Sequence, residues 1–323
     1  MPETDWPRIA VVGAGAVGCY FGGIFAIAGA PVTFIGRERQ VEALRAKGLT
    51  LDSVHFTRTF QVEASTDIAA ASGAALVLLC VKATDAEEAA KGLAPHLGEG
   101  ALVVSLQNGV DNVFRIRSAA GIDAIPAVVY VGAEVTEPGR VKHTARGDLV
   151  IGENPALANI FARAGIPVTI SDNIEGDLWM KLIQNCAYNA LSALGRAQYG
   201  RLVRNPWTRA LMREVVDEVV AVGRARKIRF PDVDLVAATW KLGEGMELTT
   251  SSTAQDIARG RRTEIDSLNG YVARLGQEIG VPTPVNRTLH SLVKFLEEGR
   301  SWLSSPRSER GGRGRGAPAS RAA

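Results

Sequence analysis

Apolar positions in the first half of the chain fall into short runs separated by helix-like segments. They predict strands at Ile9 to Val12, Val32 to Ile35, Leu76 to Val81, Leu102 to Ser105, Ile125 to Val131 and Val141 to Thr144, with Leu149 to Gly152 as a candidate hairpin partner of the last. Strands that alternate with helices are typical of a parallel sheet. The pattern therefore predicts an α/β fold with a Rossmann-type, doubly wound parallel sheet.

The pattern changes near Ser171, after which apolar residues recur with a helical period. Ser171 or Asp172 can cap a helix that runs through Trp179 and Leu191,. Further helices are predicted at about Thr208 to Lys227, Asp232 to Glu244, Arg262 to Ile279 and Asn286 to Glu298. We therefore expect a dinucleotide-binding Rossmann domain over residues 1–171, a mainly α-helical substrate and catalytic domain over 172–300, and an Arg/Gly-rich tail over 301–323.

A glycine-rich loop follows the first predicted strand and opens a helix. A GxGxxG pattern in this setting is the fingerprint of a dinucleotide site. Gly13 permits the tight turn, Gly15 lets the backbone approach a pyrophosphate, and Gly18 lets the helix pack closely on the sheet. The predicted pyrophosphate loop comprises Gly13, Ala14, Gly15, Ala16, Val17 and Gly18. The alternative is a tight strand-to-helix turn in another kind of α/β protein.

The end of the second predicted strand bears on the choice between NAD and NADP. An acidic residue there accepts hydrogen bonds from the ribose 2′-hydroxyl, whereas a basic residue accommodates a 2′-phosphate. Gly36 stands where the acid is expected and Arg37 follows it. This favours NADPH, with Arg37 on the 2′-phosphate. The alternative is that Arg37 is a solvated loop charge and that Glu38 binds the ribose.

The positive charge of the chain is concentrated in its tail. The formal net charge is +3 at pH 7, and residues 301–323 hold five arginines against one glutamate. The rest of the chain is therefore close to neutral, and no nucleic-acid footprint is expected on the folded body. The tail is too polar to order itself, so it is predicted to be disordered and solubilising. RNA binding by its Arg-Gly steps is the alternative.

The N-terminal segment and the cysteine spacing bear on where the protein is expected to reside and on the state of its thiols. No stretch of the 323 residues is long and apolar enough to span a bilayer,. The N-terminal residues lack the regions of a secretory signal, so we expect a cytoplasmic protein without membrane contact. Cys19, Cys80 and Cys186 are odd in number and lack CxxC spacing. They are predicted to be buried free thiols with no metal bound.

A polar stripe crosses the otherwise apolar helix around Trp179. Lys181, Asn185 and Asn189 are spaced four residues apart, so all three fall near one helix face,. One cation and two amides are costly to bury unless they meet a polar ligand. The stripe therefore indicates either a ligand site or a solvent-facing edge, and spacing alone leaves both open.

The residue types in this stripe suit the reduction of a carbonyl group. Hydride that reaches the carbon leaves negative charge on the oxygen, which needs a proton and hydrogen-bond donors. Lys181 could give the proton if burial or a nearby charge brought its pKa toward the working range. Asn185 and Asn189 could hold hydroxyl or carboxylate groups of a substrate.

Five ordered motifs between Arg8 and Leu296 resemble those of the ketopantoate reductase family, the NADPH-dependent 2-dehydropantoate 2-reductases of pantothenate and coenzyme A synthesis. The motifs are GAGAVG at Gly13 to Gly18, CVK at Cys80 to Lys82, QNG at Gln107 to Gly109, WMKLIQNCAYN at Trp179 to Asn189 and SSTAQDIARGRRTEID at Ser251 to Asp266. The occurrence of all five motifs in this order is specific to the superfamily. It is less specific to any one substrate within the superfamily.

The resemblance implies the catalytic and substrate-binding residues. Lys181 would be the general acid. The substrate would be bound by Asn108, Asn185, Asn189 and Ser252, with Ser252 on its carboxylate. Without the resemblance, Ser252 has the sequence context of a helix cap.

The resemblance also implies cofactor contacts beyond the glycine loop and Arg37. They are Lys82, Asn108, Ala133 and Glu264. Asn108 would contact the nicotinamide ribose, and Glu264 would lie near the nicotinamide end and Lys181. From the local sequence alone, Lys82 is a surface lysine, Asn108 is a turn residue before Gly109, and Glu264 begins a solvated helix.

The reaction implied by the resemblance is the reduction of ketopantoate, a small 2-oxo acid, to pantoate. Hydride from NADPH would reach the C2 ketone and Lys181 would supply the proton. Tyr199 departs from the family, since some members carry an asparagine there, and this leaves the exact 2-oxo acid open. The alternatives are a related NADPH-dependent reductase of another 2-oxo or 3-hydroxy acid, and a non-catalytic NADPH-binding sensor. Whether the chain forms a homodimer is also left open.

Overall fold

The structure, a computed structural model, describes residues 6–303. The strands are β1 Ile9–Val12, β2 Val32–Ile35, β3 Leu49–Asp52, β4 Thr57–Phe60, β5 Glu63–Ser65, β6 Leu76–Leu79, β7 Leu102–Ser105, β8 Ile125–Glu137, β9 Arg140–Ile151 and β10 Val168–Ile170. The α-helices are α1 Ala16–Ile27, α2 Glu38–Lys47, α3 Ala86–Leu93, α4 Asn112–Ala120, α5 Pro155–Arg163, α6 Ile174–Gly195, α7 Tyr199–Arg204, α8 Pro206–Ala225, α9 Leu235–Gly245, α10 Ser252–Ala258, α11 Asn269–Ile279 and α12 Pro284–Leu303.

All ten strands of this region join one mixed sheet, in the order β4-β3-β9-β8-β7-β6-β1-β2-β5, with β10 beside β9. The run β5-β2-β1-β6-β7-β8 is parallel throughout. Numbered along the chain, these six strands have the order 3-2-1-4-5-6 of the doubly wound dinucleotide fold. The predicted fold class is confirmed, and antiparallel pairing of β8 with β9 and of β3 with β4 extends the sheet.

One predicted pairing is wrong. Residues 141–144 and 149–152 do not form a hairpin with each other, because nearly all of both segments lies in the single strand β9, which runs antiparallel to β8. The polar break between them is a bulge: Tyr130 pairs with Asp148 and Val131 with Arg146, so Gly147 is left over. A bulge interrupts the apolar pattern as a turn does, although the strand continues through it.

Helix α6 forms the centre of the second domain. Its N-cap is Asn173, whose side chain accepts from the backbone N–H of Gly176 at 3.4 Å. The predicted caps Ser171 and Asp172 therefore lie outside the helix, and the Ser171 hydroxyl donates to Asp177 at 2.5 Å instead. The apolar faces of α6 are buried against α8, α10 and α12. Its polar stripe is left facing the middle of β8 and β9.

Several other bounds differ from the prediction. The helix predicted over residues 262–279 begins only at Asn269, and a 3₁₀ turn, Ile265–Ser267, precedes it. The short elements β3, β4, β5, β10, α7 and α10 were not predicted; β4 is mostly exposed and lacks an apolar pattern. The predicted domain boundary falls between β10 and α6. Helix α12 continues to Leu303, and the remainder of the predicted tail, residues 304–323, lies outside the described residues.

Two further features concern membranes and thiols. No helix within residues 6–303 is long and apolar enough to cross a bilayer.

Cys19 and Cys186 are buried and Cys80 is half-buried, and all three are free thiols. Burial raises the pKa of each thiol above its usual range. Thiols of this kind are poor nucleophiles.

Candidate active site

The glycine loop has the tight geometry that its sequence predicts. Gly13 has φ +108°, and a Cβ there would lie 2.5 Å from the backbone nitrogen of Val81, in the loop after β6. A Cβ on Gly18 would collide with the carbonyl oxygen of Gly13, whereas one on Gly15 would meet nothing within 4 Å. The loop is therefore closed on the side of the sheet and open where a diphosphate would approach the start of α1.

Arg37 lies beside this loop, at the end of β2. Its guanidinium is 3.2 Å from the Asp85 carboxylate, and the arginine side chain is 91% exposed. An ion pair this exposed contributes little to stability. Arg37 is therefore free to exchange Asp85 for another anion.

Lys82 is not a free surface lysine. Its Nζ donates to Asp256 Oδ2 at 2.7 Å and to the backbone carbonyl of Arg262 at 2.5 Å. Both partners belong to the helical domain. Lys82 therefore links the crevice of the sheet to the segment that contains α10.

Glu264 meets Asn108 across the same boundary. Glu264 Oε1 accepts from the backbone N–H of Ala83 at 2.9 Å, and its Oε2 accepts from Asn108 Nδ2 at 3.2 Å. Burial raises the pKa of Glu264, and these two hydrogen bonds oppose that effect. Within residues 6–303 no hydrogen bond or ion pair joins Glu264 to Lys181.

A cleft of about 540 Å³ lies where α6 meets β8, β9 and α10. It brings together eight positions singled out in the sequence, namely Val17, Asn108, Ala133, Lys181, Asn185, Asn189, Tyr199 and Ser252. Gly13, Arg37, Lys82 and Glu264 lie outside its lining. The polar stripe on α6 thus lines a cleft and is not a solvent-facing edge of the helix.

Lys181 has an unusual electrostatic environment for a lysine. Burial, and then the nearby Arg146 guanidinium, lowers the pKa of Lys181 to about 8, against a smaller opposing effect of Asp148. Its Nζ lies 4.7 Å from the centre of the Tyr130 ring. An ammonium group with such a pKa exchanges its proton near neutral pH.

Two amides on α6 that line this cleft have unpaired atoms. Asn185 Nδ2 and Gln184 Oε1 are buried and have no hydrogen-bond partner. Buried polar groups are nearly always paired in folded proteins, so these two amide atoms, on side chains that line a cleft, are candidates for hydrogen bonds to a ligand or to ordered water. Asn189 also lines the cleft and is only 2% exposed.

Ser252 is held in the cleft by its neighbour. Ser251, and not Ser252, is the N-cap of α10: its hydroxyl accepts from Ala254 N–H at 3.0 Å and donates to the carbonyl of Asn189 at 3.2 Å. The cap therefore fastens α10 to α6. Ser252, the first helical residue, lines the cleft.

Tyr199 forms part of an apolar wall. Its ring stacks on Tyr188 with centres 4.2 Å apart. Burial raises the pKa of the Tyr199 hydroxyl. Leu242, Met246 and Leu248 continue this wall, and Leu248 is 82% exposed at the surface.

Sequence reasoning missed several residues that line the cleft. They include Tyr130, Glu134, Arg146, Gln184 and Gln255. Gln184 could have been found, because it stands next to Asn185 on the polar side of α6. No local pattern marks Tyr130 or Arg146, since both lie in strands whose pairing sets their direction.

The fold and the cleft together define a two-domain protein, with a dinucleotide-binding sheet domain and a helical domain that presents a lysine and two asparagines. Residues 9–156 match the family described as Ketopantoate reductase PanE/ApbA, and residues 173–297 match its C-terminal counterpart, Ketopantoate reductase PanE/ApbA C terminal. The chain belongs to the ketopantoate reductase family, as its motifs predicted.

Individual relatives agree with this assignment. The chain is 33% identical over 300 residues to the 2-dehydropantoate 2-reductase of Pyrococcus abyssi, which covers 90% of this chain and 98% of the relative. A crystal structure of a PanE/ApbA family ketopantoate reductase from Ralstonia eutropha JMP134 is 49% identical, with a TM-score of 0.87, and covers 91% of this chain and 99% of that one. D-mandelate dehydrogenase, solved with NADH and anilino(oxo)acetate, shares the fold at 24% identity and a TM-score of 0.83, over 91% and 99% of the two chains.

Proposed function

We propose that this protein is an NADPH-dependent 2-dehydropantoate 2-reductase, which reduces the C2 ketone of ketopantoate to give pantoate. The observation that carries the proposal is the meeting of Lys181, Asn185, Asn189 and Ser252 in one cleft with Val17 of the glycine loop. Membership of the family supports the same reaction. A 2-oxo acid needs a proton donor and hydrogen-bond donors for its two polar groups, and this set supplies them.

The residues of the sheet domain fit a nicotinamide dinucleotide. The open side of Gly15 and the start of α1 would hold the pyrophosphate,. Arg37 would bind the 2′-phosphate, which makes NADPH the preferred form, and Asn108 and Ala133 would lie toward the nicotinamide. When bound, the cofactor supplies hydride to the ketone carbon.

In this proposal each polar group of the cleft has one task. Lys181 donates its Nζ proton to the ketone oxygen as that oxygen gains negative charge. Asn185, whose Nδ2 is buried without a partner, orients the substrate together with Asn189. Ser252, fixed by the Ser251 cap, binds the substrate carboxylate.

Glu264 and Lys82 act at the edge of this arrangement. Glu264 holds the Asn108 amide at 3.2 Å, so it sets where that amide points. Lys82, bonded to Asp256, keeps α10 and its Ser252 close to the sheet domain. Both residues thereby fix the distance between the cofactor side and the substrate side of the cleft.

A second candidate is the reduction of a different 2-oxo acid with a larger apolar group. Tyr199 and Leu242, Met246 and Leu248 favour it, because this wall offers apolar surface to whatever extends beyond the ketone. Chemistry at the ketone would be the same. Only the group beyond C2 would differ.

The test is NADPH oxidation by the purified protein with ketopantoate, repeated with NADH and with 2-oxo acids that carry apolar or aromatic groups. The main proposal expects the highest kcat/KM with NADPH and ketopantoate. A higher kcat/KM with an apolar 2-oxo acid would establish the second candidate. NADPH binding without turnover of any acid would contradict both and indicate a sensor.

A further inference from the structure

Arg146 has a backbone conformation that arginine seldom adopts. Its φ is +58°, in the left-handed region, and Gly147 follows at φ +130°. Such a conformation is unfavourable for a residue with a Cβ, and it persists only where other contacts impose it. A Cβ on Gly147 would collide with the Tyr20 hydroxyl, so the bulge requires glycine at that position. Gly147 has no Cβ, so the unfavourable backbone conformation in the bulge is that of Arg146.

The contacts that impose this conformation come from inside the sheet domain. His143 Nε2 lies 2.6 Å from the carbonyl oxygen of Arg146. A carbonyl can only accept, so Nε2 is the donor. His143 is 3% exposed, its Nδ1 is 2.9 Å from the Ser53 hydroxyl, and its ring packs 4.4 Å from that of Tyr20. A buried network thus fixes the backbone of Arg146 while its side chain lines the cleft.

The guanidinium of Arg146 has two partners. It donates to Asp148 through Nε at 2.9 Å and through Nη2 at 2.6 Å. Its Cζ lies 3.9 Å from the centre of the Tyr130 ring. The Lys181 ammonium lies 4.7 Å from the centre of that same ring. The ring of Tyr130 is therefore in cation–π contact with both Arg146 and Lys181.

We propose that Arg146 and Asp148 form a positioning pair for Lys181, which holds the Tyr130 ring against the ammonium group and places one positive and one negative charge beside it. Any effect of the pair on turnover rests on the proposed function of Lys181 as proton donor. The effect of the pair on the pKa of Lys181 does not. Bulges next to active sites commonly re-aim a side chain in this way.

Two other carboxylates near Lys181 have hydrogen-bond donors of their own. Glu134, also in the lining of the cleft, accepts from Arg259. Asp177, one turn earlier on α6, accepts from the Ser171 hydroxyl. Tyr130 keeps its proton, since burial raises its pKa. On α9 and α10 the described lining of the cleft is uncharged. After burial, Arg146 and then Asp148 are the charges that act on the pKa of Lys181.

Opposite charges predict opposite effects. Arg146 disfavours the ammonium form of Lys181 and Asp148 favours it. Removing the charge of Arg146 should raise the pKa of Lys181, and removing that of Asp148 should lower it. For charges at this range in a partly exposed site we expect shifts of about half a unit to one unit. A purely structural role for the pair would move both variants in the same direction.

The experiment is an NMR pH titration of Lys181 in the free protein, with lysine selectively ¹³C-labelled and the signal assigned by its loss in Lys181→Ala. The variants are Arg146→Gln, Asp148→Asn and Arg146→Lys. The matched control is Arg163→Gln, because Arg163 also stacks on an aromatic ring, Trp6, at 4.1 Å but lies outside the lining of the cleft.

The proposal expects a midpoint near 8 in the unmodified protein and in the control, a higher one in Arg146→Gln and a lower one in Asp148→Asn, with Arg146→Lys near the unmodified value. Should Arg146→Gln fail to fold, Asp148→Asn still decides. An unchanged titration midpoint in the variants would overturn the proposal. If the KM of Arg146→Gln for the 2-oxo acid rose at the same time, Arg146 would be assigned to substrate binding instead. If the midpoints shift as expected but no 2-oxo acid is reduced, the pair stands and the proposed function fails.

Discussion

The Nδ2 of Asn108 donates to the Oε2 of Glu264 at 3.2 Å, across the boundary between the sheet domain and the helical domain. The other carboxylate oxygen accepts from the backbone N–H of Ala83. One side chain of the second domain thus holds both an amide of the proposed site and the loop after β6. The packing of the two domains and the geometry of the cleft are therefore coupled at this contact.

Glu264→Ala should destabilise the protein. The change leaves the Ala83 N–H and the Asn108 amide without their partner, and an unpaired buried donor costs about 1–3 kcal/mol. Thermal or urea unfolding measures the loss. Glu278→Ala, on an exposed position of α11, should change the unfolding free energy by less than about 0.5 kcal/mol. Equal effects of the two substitutions would contradict a role for Glu264 in joining the domains.

Lys181→Ala should abolish most of the turnover while cofactor binding survives. A lost general acid lowers kcat by about 10² to 10⁴-fold, whereas the pyrophosphate would be held by backbone groups of the glycine loop and the start of α1, which the substitution leaves in place. Steady-state kinetics and NADPH fluorescence separate the two effects. Lys91→Ala, an exposed lysine on α3, should behave like the unmodified protein. Near-normal turnover in Lys181→Ala would remove Lys181 from the mechanism.

Turnover should fall as the pH rises through about 8. The proton donor is the ammonium form of Lys181, which is complete below its pKa of about 8 and disappears above it. A profile of kcat/KM against pH, which reports the groups of the free enzyme, should therefore show one basic limb near that value. A profile that is flat up to pH 10 would mean that another group supplies the proton.

Arg37→Gln should change cofactor preference more than catalysis. A charge-assisted hydrogen bond to a phosphate contributes about 1.5–3 kcal/mol, so kcat/KM for NADPH should fall by about 10- to 100-fold. The value for NADH should stay nearly constant, because NADH lacks the 2′-phosphate. Arg39→Gln, two residues further on and also exposed, is the control. Equal losses with both cofactors would refute contact with the 2′-phosphate.

Asn185→Ala and Asn269→Ala should have contrasting effects. Asn185 Nδ2 has no partner, so its removal should leave the unfolding free energy nearly unchanged while kcat/KM falls by about 10-fold, the value of one hydrogen bond. Asn269 donates to the carbonyl of Cys186 at 3.1 Å and to Asn286 at 2.9 Å. Its removal should cost about 1–3 kcal/mol of stability. Destabilisation by Asn185→Ala would show that its amide is structural.

Local patterns predicted some elements to the residue and misplaced others. Strands β1, β2 and β7 begin and end as predicted, because each is a buried run of four apolar or small residues between clear breaks. The apolar pattern predicts a turn where β9 has a bulge, since both interrupt the pattern in the same way. Strand β4 could not be predicted from the sequence, because most of its residues are exposed and they form no apolar pattern.

The sequence by itself determined the glycine loop, the parallel strand–helix alternation and the stripe of Lys181, Asn185 and Asn189, because each depends on spacings of a few residues. Only the tertiary structure decided that Lys82 meets Asp256, 174 positions away, and that Arg146 shares the ring of Tyr130 with Lys181. Those contacts arise from strand register and from the packing of one domain on the other. Neither is encoded within any short segment of the chain.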